Sequence, residues 1–251
     1  MAVLEVKGVT GGYSKRRPVL KNVSLSVGAG EMIGLVGLNG AGKSTTMKHI
    51  LGLLLPHSGE VRVDAVRLEE APERYRGAMA YVPETPLLYE EMTVEEHLRF
   101  TAMAYGIGQA EAEERARVLM ERFQMAEHRG KLPVQLSKGM RQKVMIMNAF
   151  LVQPKLYLID EPFLGLDPLA IRMLVAMLLE AKEAGAGVLV SSHILPAIEP
   201  HCERFAVLHR GEVLVFGTLD EVREAAGFAA GERSAGLEDA FLKLVAGGGG
   251  A

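Results

Sequence analysis

The stretch Gly37-Leu38-Asn39-Gly40-Ala41-Gly42-Lys43-Ser44-Thr45 decides which fold this chain can adopt. It fits the pattern G-x-x-x-x-G-K-S/T, in which backbone N–H groups of a glycine-rich loop surround phosphate oxygens. The mostly apolar residues 31–36 predict a buried strand before the loop, and residues 44–51 are typical of a helix that begins after it. Because a helix N-terminus also attracts anions, we expect Lys43 to reach terminal phosphates and the Ser44 hydroxyl to hold Mg²⁺.

The composition is that of a globular protein with enough apolar material for a large core. Of 251 residues, 49% are hydrophobic and 24% are charged, and the formal net charge is −3. This charge provides no general attraction to nucleic acid. The single cysteine, Cys202, excludes an intrachain disulfide and suits a reducing compartment. Because no run reaches the ~18 apolar residues of a membrane span, we expect a protein that is soluble or peripheral to a membrane.

Two kinds of strand are predicted from the hydrophobic pattern. Alternating apolar and polar residues indicate half-buried, antiparallel strands at residues 3–7, 23–27 and 60–64. Continuous apolar runs indicate buried strands at residues 78–82, 156–159, 187–191 and 205–208. Because helical patterns separate several of these runs, we expect a parallel sheet covered on both faces. We also predict a hairpin turn at residues 209–212.

The middle of the chain has a different character. Thr93-Val94-Glu95-Glu96 has the form of a capping box that opens a helix, and residues 112–125 carry apolar side chains at helical spacing. We expect one α/β domain whose core is formed by residues 1–84 and 155–225, with an α-helical subdomain inserted at residues 85–154. Residues 226–251 form a C-terminal segment, with a short helix at 237–245 and a flexible tail over Gly247–Gly250.

Two carboxylates end one of the predicted buried strands. Residues 156–159 are apolar and lead directly into Asp160 and Glu161. The carboxyl end of a strand in an α/β sheet directs side chains toward a ligand. Asp160 could bind Mg²⁺, directly or through water, and Glu161 could polarise an attacking water. A solvated acidic pair at a strand end is the alternative, which the nearby phosphate loop disfavours.

A second helix N-terminus precedes this strand. Leu136-Ser137-Lys138-Gly139-Met140 leads into a helix through Val152, and Ser137 is a plausible N-cap, although most such caps are only structural. Together with the phosphate loop, this segment resembles the signature sequence of the ATP-binding subunits of ABC transporters. The resemblance extends over nearly the whole chain. Residues 83–91 and 161–168 resemble most the bacterial Ecs-type exporter ATPases.

The resemblance implies roles for further residues. Tyr13 lies where the family has an aromatic side chain that stacks on adenine, and His193 matches the switch histidine at the γ-phosphate. Glu84 lies at the lid hinge, where it would be a metal ligand beside Ser44 and Asp160. The implied nucleotide-binding residues also include Gly37, Leu38, Asn39, Gly40, Ala41, Gly42, Lys43, Ser44, Thr45, Ser137 and Gly139.

The sequence also departs from the family at three positions. Lys138 replaces a glycine of the usual signature, where it could add a charge near the phosphates or face solvent. Met140 replaces a glutamine and cannot form that residue's hydrogen bond to nucleotide. Glu84 replaces the usual glutamine of the hinge, so it would bring a second acidic group near the metal.

By resemblance, the chain is a P-loop ATPase that dimerises head to tail around ATP and Mg²⁺. Each ATP would lie between one chain's phosphate loop and the signature segment of a second nucleotide-binding subunit, identical or not. Closure of the pair would drive a separate transmembrane permease, docked around residues 86–91, at the cytoplasmic face of the plasma membrane, most plausibly for export.

Two other classes of function remain as alternatives. A soluble ABC ATPase acting on a ribosome or nucleic acid usually has two nucleotide domains or a coiled-coil arm, whereas this chain has one phosphate loop and a compact insertion. We therefore expect no direct contact with nucleic acid. A GTPase or kinase is the other alternative, and the sequence lacks the Asn-Lys-x-Asp motif that reads guanine.

Overall fold

Two β-sheets form the framework in the computed structural model, which describes residues 2–229 and 235–247. One sheet has three antiparallel strands in the order β2-β1-β4, and the other has six strands in the order β5-β6-β7-β3-β8-β9. In chain order the strands are β1 (Ala2–Gly11), β2 (Leu20–Gly28), β3 (Met32–Val36), β4 (Ser58–Val63), β5 (Met79–Val82), β6 (Leu156–Asp160), β7 (Gly187–Ser191), β8 (Arg204–His209) and β9 (Glu212–Gly217).

The helices cover the six-stranded sheet and fill the insertion. They are α1 (Lys43–Ile50), α2 (Pro72–Gly77), α3 (Val94–Ala104), α4 (Gln109–Arg122), α5 (Lys138–Val152), α6 (Pro168–Glu183), α7 (Leu195–Ile198), α8 (Leu219–Ala225) and α9 (Leu237–Gly247). The expected fold class is confirmed: an α/β core of P-loop type with an antiparallel portion and inserted helices.

The large sheet is parallel except at one edge. Strands β5, β6, β7, β3 and β8 run parallel, whereas β9 pairs with β8 in the antiparallel direction. The predicted parallel sheet is therefore confirmed for these five strands, and the predicted hairpin turn at residues 209–212 is confirmed at the antiparallel edge. Arg210 (φ 48°) and Gly211 (φ 83°) alone join the two strands. A two-residue hairpin with positive φ at both positions connects antiparallel strands only.

Both faces of the large sheet are buried, which explains its continuous apolar runs. Along β6, Leu156 and Leu158 pack into the cluster beneath the three-stranded sheet, whereas Tyr157 and Ile159 pack into the cluster beneath the helices. Successive side chains of a strand point to opposite faces, so a strand covered on both sides must be apolar at every position.

The helical insertion lies between two neighbouring parallel strands, β5 and β6. The predicted capping box is confirmed, because Thr93 Oγ1 accepts from Glu96 N at 3.3 Å and Glu96 Oε2 accepts from Thr93 N at 2.7 Å. The predicted helix at residues 112–125 ends earlier, at Arg122, since Gln124 has a left-handed backbone (φ 56°). Met125 nevertheless stays buried because the chain turns back onto the core.

The C-terminal helix packs onto the core. Leu237, Ala240 and Phe241 of α9 are buried in the same cluster as the helical side of the sheet. The predicted short helix is confirmed and extends to Gly247, while the rest of the predicted flexible tail lies outside the described residues. None of the helices that the structure describes is both long and apolar enough to cross a membrane.

Candidate active site

The phosphate loop connects the end of β3 to the start of α1, as predicted. Gly40 (φ 80°) and Gly42 (φ 115°) have left-handed backbones that favour glycine. A side chain at Gly37 would place its Cβ 2.6 Å from the carbonyl oxygen of Leu208. The crest of the loop, Leu38 and Asn39, is exposed. The glycines thus permit a tight loop whose crest stays open, so the residues present fit a phosphate chain.

Lys43 places a buried cation inside this loop. Its side chain is 7% exposed, and Nζ donates to the Gly37 carbonyl oxygen at 2.8 Å. The same Nζ lies 3.3 Å from Oε1 of Glu161. A buried ammonium group is costly unless a partner compensates its charge. The predicted phosphate-binding cation and the predicted base are therefore brought together.

Glu161 is held by the residues that follow β7. Its Oε2 accepts from the His193 backbone N at 3.0 Å and pairs with His193 Nδ1 at 2.7 Å, so an ionised Glu161 requires the proton on Nδ1. Its backbone N donates to Ser191 Oγ at 3.1 Å. Within the described residues, the buried Oε1 accepts no hydrogen bond. Its charge is instead compensated by the Lys43 ammonium, whose Nζ lies 3.3 Å away.

Asp160 supplies a buried carboxylate with neutral partners. It is 2% exposed, and Oδ1 accepts from Ser191 Oγ at 2.5 Å while Oδ2 accepts from the Tyr81 hydroxyl at 3.4 Å. No Lys, Arg or His in the part of the chain that the structure describes forms an ion pair with it. A buried carboxylate without a cation fits a metal site. Mg²⁺ commonly uses one or two protein carboxylates and takes its other oxygens from phosphates and water.

The sequence analysis missed the two partners of Asp160. Ser191 stands opposite Asp160 in the parallel pairing of β6 and β7, so the shared strand ends could have revealed it. Tyr81 belongs to β5, the neighbour on the other side. Burial raises the pKa of the Tyr81 phenol, and the carboxylates of Asp160 and Glu84 raise it further. Glu84 itself is exposed.

The signature segment has the predicted cap, and within the described residues it makes no polar contact with the phosphate loop of its own chain. Ser137 Oγ accepts from Met140 N at 3.2 Å, which confirms Ser137 as the N-cap of α5. A Cβ at Gly139 would lie 2.5 Å from the Gly165 carbonyl oxygen, so this glycine permits close contact with the following loop. Across the described ranges, no hydrogen bond or ion pair joins Ser137 or Gly139 to residues 37–45. Met140 packs against the core.

Tyr13 lies on the loop between β1 and β2 and is 64% exposed. Its hydroxyl accepts a hydrogen bond from Lys48 Nζ at 2.9 Å. Lys48 belongs to α1, the helix that begins at the phosphate loop. The exposed ring is thus attached to the phosphate-loop helix, a contact that the sequence analysis did not anticipate.

Comparison with known proteins places these features in context. A family model described as ABC transporter matches residues 20–164. The ABC-type transporter ATP-binding protein EcsA of Bacillus subtilis is 51% identical over 245 residues, covering 98% of this chain and 97% of that protein. The lipopolysaccharide export system ATP-binding protein LptB of Escherichia coli K12 is 32% identical over 225 residues, covering 88% of this chain and 93% of that protein.

Solved structures share the fold. A structure of an ATP-binding subunit of an ABC transporter has a TM-score of 0.91 and 50% identity, covering 96% of this chain and 99% of that chain. A dimeric ATP-binding cassette in a post-hydrolysis state, bound to ADP and Pi, has a TM-score of 0.78 and 27% identity, covering 86% of this chain and 98% of that chain.

Proposed function

Because the chain belongs to the ABC transporter family, as an ATP-binding and ATP-hydrolysing subunit, we propose that it powers an exporter. In this proposal it pairs with a second nucleotide-binding subunit beneath a transmembrane permease, at the cytoplasmic face of the plasma membrane. The export direction is supported by LptB, whose name describes an export system, and by the resemblance of residues 83–91 and 161–168 to Ecs-type exporter ATPases.

Glu161 carries the chemistry in this proposal. The observation that supports it best is the position of the Glu161 carboxylate between the Lys43 cation and the His193 imidazole. Oε2 is held by His193, so Oε1 can orient a water and accept its proton. Lys43 would stabilise negative charge at the terminal phosphates, and His193, with its ring 47% exposed, would contact the γ-phosphate through Nε2. Tyr13 would stack on adenine.

Ser44, Asp160 and Glu84 would hold Mg²⁺. When bound, Mg²⁺ neutralises charge on the phosphate oxygens. The buried Asp160 carboxylate is prepared for a cation by Ser191 and Tyr81. Ser44 follows Lys43 directly in the first turn of α1, so its hydroxyl would be offered to the metal beside the phosphates.

The signature segment would act on the ATP of the second subunit. Ser137 and Gly139 lack hydrogen bonds to their own chain's phosphate loop within the described residues, which supports a site completed by two chains. Hydrolysis is then tied to closure of the pair, because neither chain alone surrounds the nucleotide.

An exposed apolar surface on the insertion would dock the permease. We define this docking patch as Leu87 (76% exposed), Tyr89 (57%), Phe100 (45%) and Met103 (72%). Tyr89 and Phe100 meet edge to face, with ring centroids 5.6 Å apart. Exposed apolar side chains mark interaction surfaces where they form a contiguous patch, as Tyr89 and Phe100 do. The patch includes part of the predicted docking segment, residues 86–91.

Membrane fractionation tests this arrangement. The tagged chain, expressed in its source strain, should sediment with membranes and co-purify with a polytopic membrane protein after detergent extraction. Leu87→Ser with Tyr89→Ser should release it to the supernatant, because the apolar contact is lost. Leu242→Ser, which alters another exposed leucine (55%) on α9, should remain membrane-bound. Equal sedimentation of both variants would contradict the docking patch.

A further inference from the structure

Lys48 occupies a position that the proposed catalytic chemistry does not use. It lies on α1, five residues after Lys43, and its Nζ donates to the Tyr13 hydroxyl at 2.9 Å. The same Nζ lies 5.2 Å from the centroid of the Tyr13 ring. Among the residues that the structure describes, no carboxylate forms an ion pair with Lys48. The contacts of its cation are therefore directed to the phenol of Tyr13.

Within the described residues, the hydrogen bond to the Tyr13 hydroxyl comes from Lys48 of α1. The hydrogen bond from Lys48 lowers the pKa of the Tyr13 phenol against the opposing effect of burial, and a hydrogen bond with Thr45 lowers it further. Both partners belong to α1, whereas Tyr13 belongs to the loop between β1 and β2. The contact thus joins two segments that are remote in sequence.

The loop that carries Tyr13 is closed at its base and contains a turn in which Arg17 N donates to the Ser14 carbonyl oxygen at 3.2 Å. Val19 N donates to the Gly11 carbonyl oxygen at 2.8 Å, which closes the loop, and Gly12 has a φ of 154° beside Val19. The ring beyond this base is 64% exposed. Without a partner for its hydroxyl, an exposed tyrosine samples several rotamers, and fixing one of them costs conformational free energy.

We propose that Lys48 is a positioning residue that holds the Tyr13 ring ready to stack on the base of ATP. The inference rests on the stacking role proposed for Tyr13 above. An α-helix rises 1.5 Å per residue, so Lys48 lies about 7.5 Å along the axis from Lys43. The same helix, α1, therefore positions both the Lys43 cation at the phosphates and the Lys48 side chain that holds the Tyr13 ring. Because the Tyr13 ring is already ordered before nucleotide binds, binding no longer includes the conformational free energy of ordering it, and the affinity for ATP is higher.

Steady-state kinetics of the full chain tests the proposal. Lys48→Met keeps the length of the side chain but removes the donor, and it should raise KM for ATP about 3- to 10-fold, the range expected for one net hydrogen bond. The kcat should stay within about 2-fold, and the melting temperature without nucleotide should not change. Lys48→Arg retains a donor and should restore most of the affinity. An unchanged KM in Lys48→Met would overturn the proposal.

Lys15→Met is the matched control for charge. Lys15 is an exposed cation on the same loop, two residues from Tyr13, so its removal changes the local charge equally. Its KM should remain near that of the wild type. An equal rise in KM for Lys15→Met and Lys48→Met would mean that charge alone attracts the nucleotide, and the positioning role would be wrong.

A double-mutant cycle with Tyr13→Phe tests whether Lys48 affects nucleotide binding through Tyr13 or by contacting the nucleotide directly. Phenylalanine keeps the ring but lacks the anchored hydroxyl, so Tyr13→Phe should itself weaken binding modestly, and Lys48→Met should add nothing in that background. Additive losses would mean that Lys48 contacts the nucleotide itself, which contradicts the proposal. Unchanged ATP affinity in Tyr13→Ala would instead refute the stacking role, and the inference with it.

Discussion

At the scale of single residues, Glu161 offers the sharpest test of the chemistry. Glu161→Gln keeps the shape of the side chain but cannot take a proton. We expect turnover to fall by ~10²–10⁴, the usual effect of losing a general base, while ATP still binds. Because bound ATP then persists between two chains, the variant should elute as a dimer in sizing chromatography with ATP and as a monomer without it.

The control is Glu183→Gln, which changes an exposed glutamate at the end of α6. This variant should show wild-type turnover and no ATP-dependent dimer. Wild-type turnover in Glu161→Gln would exclude Glu161 as the base. Loss of ATP binding would show instead that its charge is needed to compensate Lys43, 3.3 Å away.

At the scale of elements, we expect the hinge between β5 and the inserted helices to determine how closure of the pair responds to Mg²⁺. Gln142 of α5 donates to the Pro83 carbonyl oxygen at 3.3 Å. The helix that begins in the signature segment is therefore hydrogen-bonded to the backbone directly before Glu84. Asp160 and Glu84 both raise the pKa of the Tyr81 phenol, and we expect their two carboxylates to repel each other. Mg²⁺ offsets that repulsion only when it is bound.

Glu84→Gln should therefore retain ATPase activity and need less Mg²⁺ for its half-maximal rate. Glutamine can still offer a carbonyl oxygen to the metal but removes one negative charge. Titrating Mg²⁺ against turnover measures the effect, with Glu91→Gln in the following loop as the control. Superimposable curves for the wild type and Glu84→Gln would mean that Glu84 faces solvent or the permease rather than the metal.

At the scale of the whole molecule, Glu31 and Arg204 join the two sheets. Arg204 donates Nε to Glu31 Oε1 at 2.6 Å and Nη2 to Oε2 at 2.8 Å, and Nη2 also reaches the Ser26 carbonyl oxygen at 3.4 Å. Oε2 additionally accepts from Gly28 N at 2.6 Å. Burial alone would raise the pKa of Glu31, but the Arg204 guanidinium and the Gly28 amide together hold it below its usual 4.5.

Since the pKa of Glu31 is lower in the folded state, its contribution to stability is present above about pH 4.5 and is lost as the pH falls toward the folded-state value. Glu31→Gln should lower the free energy of unfolding by about 1.5–3 kcal/mol at pH 7, the range for a hydrogen bond to a charged group. Urea unfolding at pH 7 and pH 4 should show a smaller difference from the wild type at pH 4.

Glu212→Gln is the control, because Glu212 pairs with Lys21 at the exposed surface, where such pairs contribute about 0–1 kcal/mol. A Glu31→Gln deficit as large at pH 4 as at pH 7 would mean that packing, rather than charge, connects the sheets at this point.

Local features were readable from the sequence. The strand, glycine loop and helix at residues 31–51 depend on neighbours a few positions apart, and so do the Ser137 and Thr93 caps. The capping box of α8, in which Thr218 pairs with Glu221, has the same local form and was overlooked, although it could have been found in the same way. The end of α4 was misplaced because a buried Met125 mimics helical spacing beyond the left-handed Gln124.

The chain by itself therefore determined the phosphate loop, the order of the elements and the identities of the acidic residues at strand ends, because these follow from spacing along the sequence. Only the tertiary structure decided that Ser191 and Tyr81 would flank Asp160, and that Lys48 would hold Tyr13. These partners are 31, 79 and 35 residues apart. Their contact depends on strand order and on how α1 packs, and no local propensity encodes either of these.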